Sequence, residues 1–374
     1  MRVLVCVHCT VLGGANRSML GLMDINQTKG IEYYVLLPEK GPLCAELEKR
    51  NIKYYIFPYY NWVHYGKKNN KIKAFVKLIK NQIIADQIVK IIKAEHIDIV
   101  HTNDSLTMIG ALVARKARIP HIWHIREFLD DDYNLYYNYS MKYVKKLYSE
   151  ANVVIAISKV IENHAVKKLG LKNSLLIYNG LEHKEGVHQK SQEFVVAFSG
   201  GDSEKKGILD VLGAFEIILK KRKDISLVIG GKFSDESLLE RIRKIDKNVY
   251  IKVIGERKDW GEWLDKAHIA LVCSNMEAFG RVTVESMFAR AVVIATNTGA
   301  NEELIDNGKD GYIYKIGNIE ELAEKICNVK DHYAEQKALI ECAYRKADSQ
   351  FNIERTAQNV LETYKDILKK GANL

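Results

Sequence analysis

Ile269-Ala270-Leu271-Val272-Cys273-Ser274-Asn275-Met276-Glu277-Ala278-Phe279-Gly280-Arg281-Val282-Thr283-Val284-Glu285 reads as an apolar strand, a polar turn and the opening of a helix. Residues 269–273 form a strand-sized apolar run, and the helical pattern that follows the turn continues to about Ala289. Main-chain N–H groups at a helix N-terminus have no partner within the helix and carry the positive end of its dipole, so a turn of this kind is a natural seat for a pyrophosphate. Gly280 lets the main chain approach such a ligand closely. Two carboxylates bracket the turn. Glu277 stands just before the helix, where it can accept hydrogen bonds from sugar hydroxyls, and Glu285 lies about one turn in, within reach of a ribose diol. Read alone, the same pair is a helix cap and a solvated side chain.

Working outward, short apolar runs alternate with helical stretches on both sides of this motif. The first series is 3–7, 33–37, 54–57, 97–100, 121–125 and 153–157; the second is 194–198, 227–229, 249–254, 269–273, 292–295 and 312–314. Alternation of this kind builds a parallel sheet with helices on its faces, here twice over. Between the series lie the turn dipeptide Asn179-Gly180 and the polar stretch 182–193, which has no periodic apolar pattern. The expected division is an N-terminal domain over 1–178, a C-terminal domain over 179–352 and a closing helix over 353–374. That helix carries a stripe at Thr356, Val360, Leu361, Tyr364 and Leu368 and needs a surface to pack on.

The chain has 374 residues, 47% of them hydrophobic, enough for two cores. Its longest apolar runs are far short of the ~18 to 20 residues of a membrane-spanning helix. Residues 1–7 read as a first strand and not as a signal peptide, so a cytoplasmic protein is expected. Cysteines 6, 9, 44, 273, 327 and 342 are scattered through strand and helix patterns and read as reduced thiols; Cys6 and Cys9 have no second pair with which to complete a zinc site. The net charge of +9 favours phosphates, anionic lipid headgroups or nucleic acid as partners, without choosing among them.

The spacing of Glu277 and Glu285, with its surroundings 277–287, 292–296 and 299–305, resembles the E-x7-E region of the family 4 retaining glycosyltransferases, the glycosyl transferases group 1. The resemblance covers nearly the whole chain and includes 13–18, 153–158, 177–180 and Lys206-Gly207. It implies a GT-B fold: two Rossmann-like doubly wound α/β domains facing a central cleft, with the C-terminal helix crossing back to the N-terminal domain. The donor then binds through Phe279, Gly280, Arg281, Val282, Thr283 and Glu285 in the second domain, and the Gly13-Gly14 loop lies across from its phosphates. As a dinucleotide fingerprint, Gly13-Gly14-Ala15-Asn16-Arg17-Ser18 lacks the required glycine spacing. Lys206 resembles the family's pyrophosphate lysine, Glu277 the residue that orients the sugar and His124 the histidine kept against the transferred sugar. Where the family places an arginine at the start of the Lys206 loop, this chain has Gly200 and Gly201, and either Lys205 or Arg281 is available to replace that charge.

Asn103, Ser105 and Arg126 stand at the ends of first-domain strands and are acceptor-side candidates, since ligands of doubly wound sheets gather at the carboxyl ends of strands. The implied chemistry is metal-independent hexosyl transfer with retention, by a front-face mechanism through an oxocarbenium-like transition state, with no cofactor. Main-chain amides and Lys206 supply the electrostatic stabilisation. Asp130-Asp131-Asp132 matches an Asp-x-Asp pattern formally but reads as a solvated acidic turn. The expected partners are a nucleotide-sugar donor, UDP-sugar favoured, and a glycan or lipid-linked acceptor of cell-surface polysaccharide synthesis. An anionic membrane surface at the inner face is suggested by Lys67, Lys68, Lys71, Lys73, Lys77 and Lys80 among Tyr59, Tyr60, Trp62, Tyr65 and Phe75. The same stretch also fits an ordinary helix with a solvated lysine face. No nucleic-acid-binding module accompanies the charge, so nucleic acid is not an expected partner. A nucleotide-sugar epimerase of the same fold and a non-catalytic basic binding module are the competing readings.

Overall fold

The computed structural model describes residues 1–129, 134–183, 189–246, 249–257 and 259–372. The acidic triplet 130–132 therefore lies outside the described residues, as does part of the polar stretch 182–193. The chain divides into two compact units: Met1–Glu182 with Asn352–Leu374, and His183–Phe351.

The first unit contains β1 (Arg2–Cys6), β2 (Glu32–Leu37), β3 (Lys53–Ile56), β4 (Val63–Tyr65), β5 (Ile99–Thr102), β6 (His121–Ile125), β7 (Leu135–Tyr137), β8 (Val153–Ala156) and β9 (Ser174–Leu176). Seven of them form a sheet in the order β3-β2-β1-β5-β6-β8-β9, and β4 pairs with β7 as a separate antiparallel ribbon. Every pairing in the seven-stranded sheet is parallel. The second unit contains β10 (Val195–Phe198), β11 (Ser226–Gly230), β12 (Ile251–Gly255), β13 (Ile269–Val272), β14 (Val292–Thr296) and β15 (Tyr312–Tyr314), in the order β12-β11-β10-β13-β14-β15. Both sheets are doubly wound. In each, the strand order reverses beside the first strand, between β1 and β5 and again between β10 and β13, and such reversals open the crevice in which ligands of this architecture bind.

Near-continuous apolar strands follow from sheets covered on both faces. Val3, Val5 and Ile99 pack with Met19, Leu20 and Met23 of the helix Gly14–Gln27 in one core; Val196, Phe198, Leu271 and Ile294 pack with Val211, Phe215 and Ile326 in the other. The closing helix, Ile353–Ala372, adds Val360, Leu361, Tyr364 and Ile367 to the first core, so the chain's end completes the unit in which it began. Its entry is fixed by three contacts. The Thr356 hydroxyl donates to the Tyr178 carbonyl at 2.7 Å, the Ile353 N–H donates to the Leu181 carbonyl at 3.1 Å, and Gly180 lies flat against Asn352 and Ile353.

A Cβ on Gly180 would come within 2.3 Å of the Asn352 carbonyl oxygen and 2.5 Å of the Ile353 Cα, both main-chain atoms that cannot swing aside. Gly180→Ala is accordingly expected to destabilise the first unit by about 1–3 kcal/mol, the usual range for overpacking. Urea unfolding followed by tryptophan fluorescence would show this as a lowered midpoint, whereas an unchanged midpoint would mean that the helix entry can shift without penalty.

Candidate functional site

In the second unit the reversal between β10 and β13 brings together the loop after β10 and the loop after β13. The first contains the short 3-10 turn Glu204–Lys206, ended by Gly207 in the left-handed region at φ +86°. The second leads through Glu277 to Gly280, also left-handed at φ +88°, and into the helix Arg281–Phe288. Lys206 Nζ lies 2.6 Å from Glu277 Oε1, the same oxygen that accepts a 2.6 Å hydrogen bond from the Ser274 hydroxyl. The lysine side chain is 47% exposed and the glutamate 13%, so the pair sits at the unit's surface with the ammonium outward.

The Glu277 loop is held from behind. The Ala300 N–H donates to the Glu277 carbonyl at 2.8 Å, and the hydroxyls of Thr296 and Thr298 each donate to the Ser274 carbonyl at 2.7 Å. The helix Arg281–Phe288 has Gly280 at its N-cap with no side-chain cap and no acidic residue in its first turn. That arrangement leaves the first-turn amides to an anion.

Not every donor-side residue picked out by sequence offers its side chain there. Phe279 is buried edge-on against Phe351, at 5.9 Å between ring centres, and Thr283 is buried with its hydroxyl directed to Asn301 Oδ1 at 3.2 Å. These two line the turn through their main chain. Arg281 and Glu285 are one turn apart and paired at 3.2 Å, both partly exposed. The Asn275 N–H donates to the Lys205 carbonyl at 2.9 Å, so Lys205 is tied to the same loop pair through its main chain.

In the first unit the helix Gly14–Gln27 opens after Gly13, which has extended backbone (φ −78°, ψ −178°) and room for a Cβ, with no heavy atom within 4 Å of that position. Its helix, too, lacks a side-chain cap. Asn103 touches this loop through a 3.3 Å hydrogen bond from its amide to the Ala15 carbonyl.

His124, at the end of β6, is fully buried, and its Nδ1 lies 3.3 Å from Arg126 Nη2 and 3.2 Å from His101 Nε2. A guanidinium can only donate, so Nδ1 is the acceptor and the proton of the neutral ring sits on Nε2. His101 Nε2 then donates as well, and His101 Nδ1 accepts from the Tyr364 hydroxyl of the closing helix at 2.7 Å. Burial, reinforced by the Arg126 charge, holds His124 well below the ordinary imidazole range and pulls His101 down to about 3, so both rings are neutral at physiological pH. His124 Nε2 is buried and has no hydrogen-bond partner among the described residues. A buried donor left in this way costs about 1–3 kcal/mol, which a hydroxyl placed against it would relieve.

Arg126 itself is buried. Its Nε donates to the Asn103 carbonyl at 3.0 Å, Nη2 to Asn103 Oδ1 at 2.9 Å and Nη1 to Asn179 Oδ1 at 2.6 Å. The guanidinium therefore fixes the ends of β5 and β6 and the segment leading to Gly180.

Two more groups stand at the same strand ends: His8, which sequence reading overlooked, and Glu127, which it offered with Arg126 as a local ion pair or an acceptor contact. His8 follows β1, and its Nδ1 lies 3.0 Å from Asp104 Oδ2. Burial alone would lower its pKa, but the Asp104 carboxylate outweighs that and raises it to about 11, making His8 a fixed imidazolium. Glu127 is buried, its Oε1 accepting from the Ser105 N–H at 2.5 Å; burial first, and the Asp104 charge second, push its carboxyl up to about 7. For His8 the only signal in the sequence was position, since it follows the first strand. Glu127 also lines an apolar cavity of about 220 Å³ with Phe128, Leu129, Tyr136, Tyr139 and His164.

Two parallel doubly wound units, each with an uncapped helix N-terminus at its strand-order reversal, are the architecture of the GT-B fold. Comparison with known proteins agrees. Residues 181–346 match the family described as glycosyl transferases group 1, and residues 12–185 match glycosyltransferase family 4. The chain belongs to this family of glycosyltransferases. It is 26% identical, over 98% of its own length and 99% of the other's, to an uncharacterised glycosyltransferase of Methanocaldococcus jannaschii. It is 21% identical to the capsular polysaccharide biosynthesis glycosyltransferase CapM of Staphylococcus aureus, over 59% of this chain and 63% of that one. In fold it is similar to HepE of Anabaena, solved in complex with UDP, with a TM-score of 0.80 at 19% identity over 98% of this chain and 100% of that chain. Among the described residues no helix is long and apolar enough to cross a membrane.

Because the fold favours the neutral form of Glu127, this group's contribution to stability is complete below about 4.5, the unfolded value, and is lost as pH rises through about 7. Glu127→Gln keeps an oxygen to accept from Ser105 and removes the titration. The variant is expected to show a flatter stability profile between those pH values than the parent, measured by thermal unfolding in a buffer series. Parallel profiles would mean that Glu127 is ionised in the folded chain throughout.

Proposed function

We propose that this chain is a retaining glycosyltransferase that moves a hexosyl unit from a nucleotide-sugar, UDP-sugar favoured, to a glycan or lipid-linked acceptor in cell-surface polysaccharide synthesis. The observation that carries the reading is the Lys206–Glu277 pair at 2.6 Å beside the helix Arg281–Phe288, a cation, a carboxylate and a helix N-terminus without a side-chain cap at one strand-order reversal. A nucleotide-sugar presents matching groups, a diphosphate for the lysine and amides and sugar hydroxyls for the carboxylate. The UDP bound in HepE and the polysaccharide role in the name of CapM favour the same donor and pathway class.

In this reading Glu285 takes the ribose diol, with Arg281 beside it, and Lys206 follows the charge that builds on the departing diphosphate. Glu277 orients the sugar. The bond from the anomeric carbon to the diphosphate oxygen breaks as an acceptor oxygen bonds on the same face, and the acceptor proton passes to the departing phosphate oxygen. His124, neutral with its proton on Nε2, donates to a sugar hydroxyl and takes no part in proton transfer. Arg126 and Asn103 position the strand ends, and Gly13, Gly14 and Ser105 complete the first unit's contribution. The diphosphate contacts come from amides and an ammonium, so the transfer needs no metal. The protein works in the cytoplasm, at the inner face of the membrane.

Lys206→Ala is expected to lower kcat by about a hundredfold or more while weakening UDP binding much less, since the charge it meets is larger in the transition state than in the ground state. Transfer assays beside calorimetry of UDP binding separate the two quantities; equal losses in both would assign the lysine to uniform binding. Glu285→Ala should weaken UDP about tenfold with the fold intact, a hydrogen-bonded carboxylate being worth ~1.5 kcal/mol, and unchanged affinity would remove the ribose role. Turnover in excess EDTA is expected to equal the untreated rate. Activity lost to the chelator and restored by manganese would overturn metal independence, and conversion of the sugar without a glycosylated product would make the chain an epimerase.

A further inference from the structure

The helix Lys71–Ala94 is apolar on two opposite faces. Ala74, Ala85, Ile88 and Ile92 lie on the face turned into the first unit and are buried. At ~100° per residue, Ile72, Phe75, Val76, Ile79 and Ile83 fall on the opposite side, and all five are exposed: Ile72 by 78%, Phe75 by 62% and Ile83 by 55%. A contiguous apolar ridge of this kind on a helix already packed through its other face is the signature of a surface that meets something else. Of the aromatic residues that the sequence offered as part of this surface, Phe75 is on the ridge and Tyr65 is exposed, but two are not on it. Tyr59 and Trp62 are buried, Trp62 stacked on Trp123 with ring centres 5.3 Å apart.

The charges around the ridge select the partner. Lys71 flanks it on one side and Lys73 and Lys80 on the other, with Lys67 and Lys68 just before the helix and Lys77 beyond; between 67 and 85 there is no Asp or Glu. Lys80 lies over the Tyr60 ring at 5.4 Å, holding its stem along the surface. A second copy of this chain docking here face to face would set lysines against lysines. An acidic protein would satisfy the charge but would have to supply its own apolar groove.

A lipid bilayer with anionic headgroups satisfies both features at once, the headgroups meeting the lysines and the acyl boundary taking the isoleucines and phenylalanine. We propose that the helix Lys71–Ala94 docks this protein on an anionic phospholipid surface, with the ridge from Ile72 to Ile83 in the interfacial layer and the lysines in the headgroups. The ridge enters by about 5–10 Å, the depth usual for interfacial helices, and the lysine attraction falls off over about 8 Å at physiological ionic strength. This docking deepens the lipid-linked side of the proposed function, but it is a property of the first unit and does not depend on which sugar or acceptor is used.

The test is co-sedimentation of the full chain with phosphatidylcholine vesicles and with vesicles containing about one-quarter phosphatidylglycerol, at low and high salt. One variant carries Lys67→Ser, Lys68→Ser, Lys71→Ser and Lys73→Ser; the other carries Ile72→Ser, Phe75→Ser and Ile79→Ser. All these side chains are exposed, so both variants are expected to fold and to bind UDP as the parent does, which separates failure of the docking from failure of the donor site. The parent should pellet with the anionic vesicles at low salt and not with phosphatidylcholine alone. The lysine variant should lose partitioning by about a hundredfold or more, and the ridge variant by about tenfold, with its residual binding fully released by salt. A parent that stays in the supernatant with anionic vesicles, or a ridge variant that pellets as the parent does, overturns the proposal. So does a concentration-dependent dimer of the parent that the ridge substitutions abolish, which would assign the face to contact between copies.

Discussion

A Cβ on Gly207 would lie 2.0 Å from the carbonyl oxygen of Cys273, and one on Gly299 would lie 2.3 Å from the Glu277 carbonyl oxygen. Both glycines have positive φ, so close approach and left-handed backbone are demanded at the same positions. Their effect is to press three loops of the second unit together at the reversal of strand order. The turn carrying Lys206 lies on the end of β13, and the loop after β14 lies on Glu277. The ion pair follows from this packing. Lys206 sits one residue before Gly207 and Glu277 three residues after Ser274, whose carbonyl is held by Thr296 and Thr298. Widening either glycine would separate the cation from the carboxylate without touching a polar group of either.

The first unit solves a different electrostatic problem at its own reversal. It gathers a guanidinium, three imidazoles and two carboxylates at the carboxyl ends of β1, β5 and β6, all buried but the partly exposed His8, and the charge states are sorted by neighbour. Asp104 keeps His8 charged, while Arg126 and burial keep His101 and His124 neutral. Arg126 donates to amide and carbonyl oxygens of Asn103 and Asn179, and its charge bears on the imidazoles beside it. One consequence reaches the chain's end. The closing helix contributes Tyr364, whose hydroxyl donates to His101 Nδ1 in the tautomer that Arg126 imposes through His124. A helix that serves packing thereby also supplies a polar partner beside the carboxyl end of β5.

Much of this was legible in the sequence because it depends on period and on glycine. Apolar runs of strand length alternating with helices gave both sheets, and the observed strands fall within a few residues of the expected ones, β6 at His121–Ile125 coinciding with its run. The ribbon of β4 and β7 was not foreseen, because three-residue strands carry too little alternation to be read. Nor was β9, Ser174–Leu176, at the sheet edge. Among site residues, Glu277 was read from its place just before a helix and Lys206 from the family resemblance, and the two do meet. The pairing of His8 with Asp104 was not, since it joins positions 96 residues apart through the adjacency of β1 and β5. Sequence also could not tell a side-chain contribution from a main-chain one. Phe279 and Thr283 belong to the turn, yet their side chains face inward, because a strand-to-helix turn must bury some of its residues to hold the rest in place.

The Lys206–Glu277 pair is poorly explained as a stabilising contact. An ion pair whose lysine is nearly half exposed contributes little, about 0–1 kcal/mol at most, and is weakened further by salt. The hydrogen bond from Ser274 and the main-chain contact from Ala300 would hold the Glu277 loop without it. What the pair does provide is a cation held near the uncapped helix Arg281–Phe288 whose present partner is a single carboxylate oxygen. A diphosphate carries more charge than that carboxylate and offers more oxygens. It can therefore draw the ammonium over while leaving Glu277 free to accept from sugar hydroxyls. On this argument donor binding exchanges one ion pair for another and leaves the Glu277 carboxylate to the Ser274 hydroxyl and the sugar hydroxyls, so the lysine remains mobile enough to follow the leaving group as its charge grows.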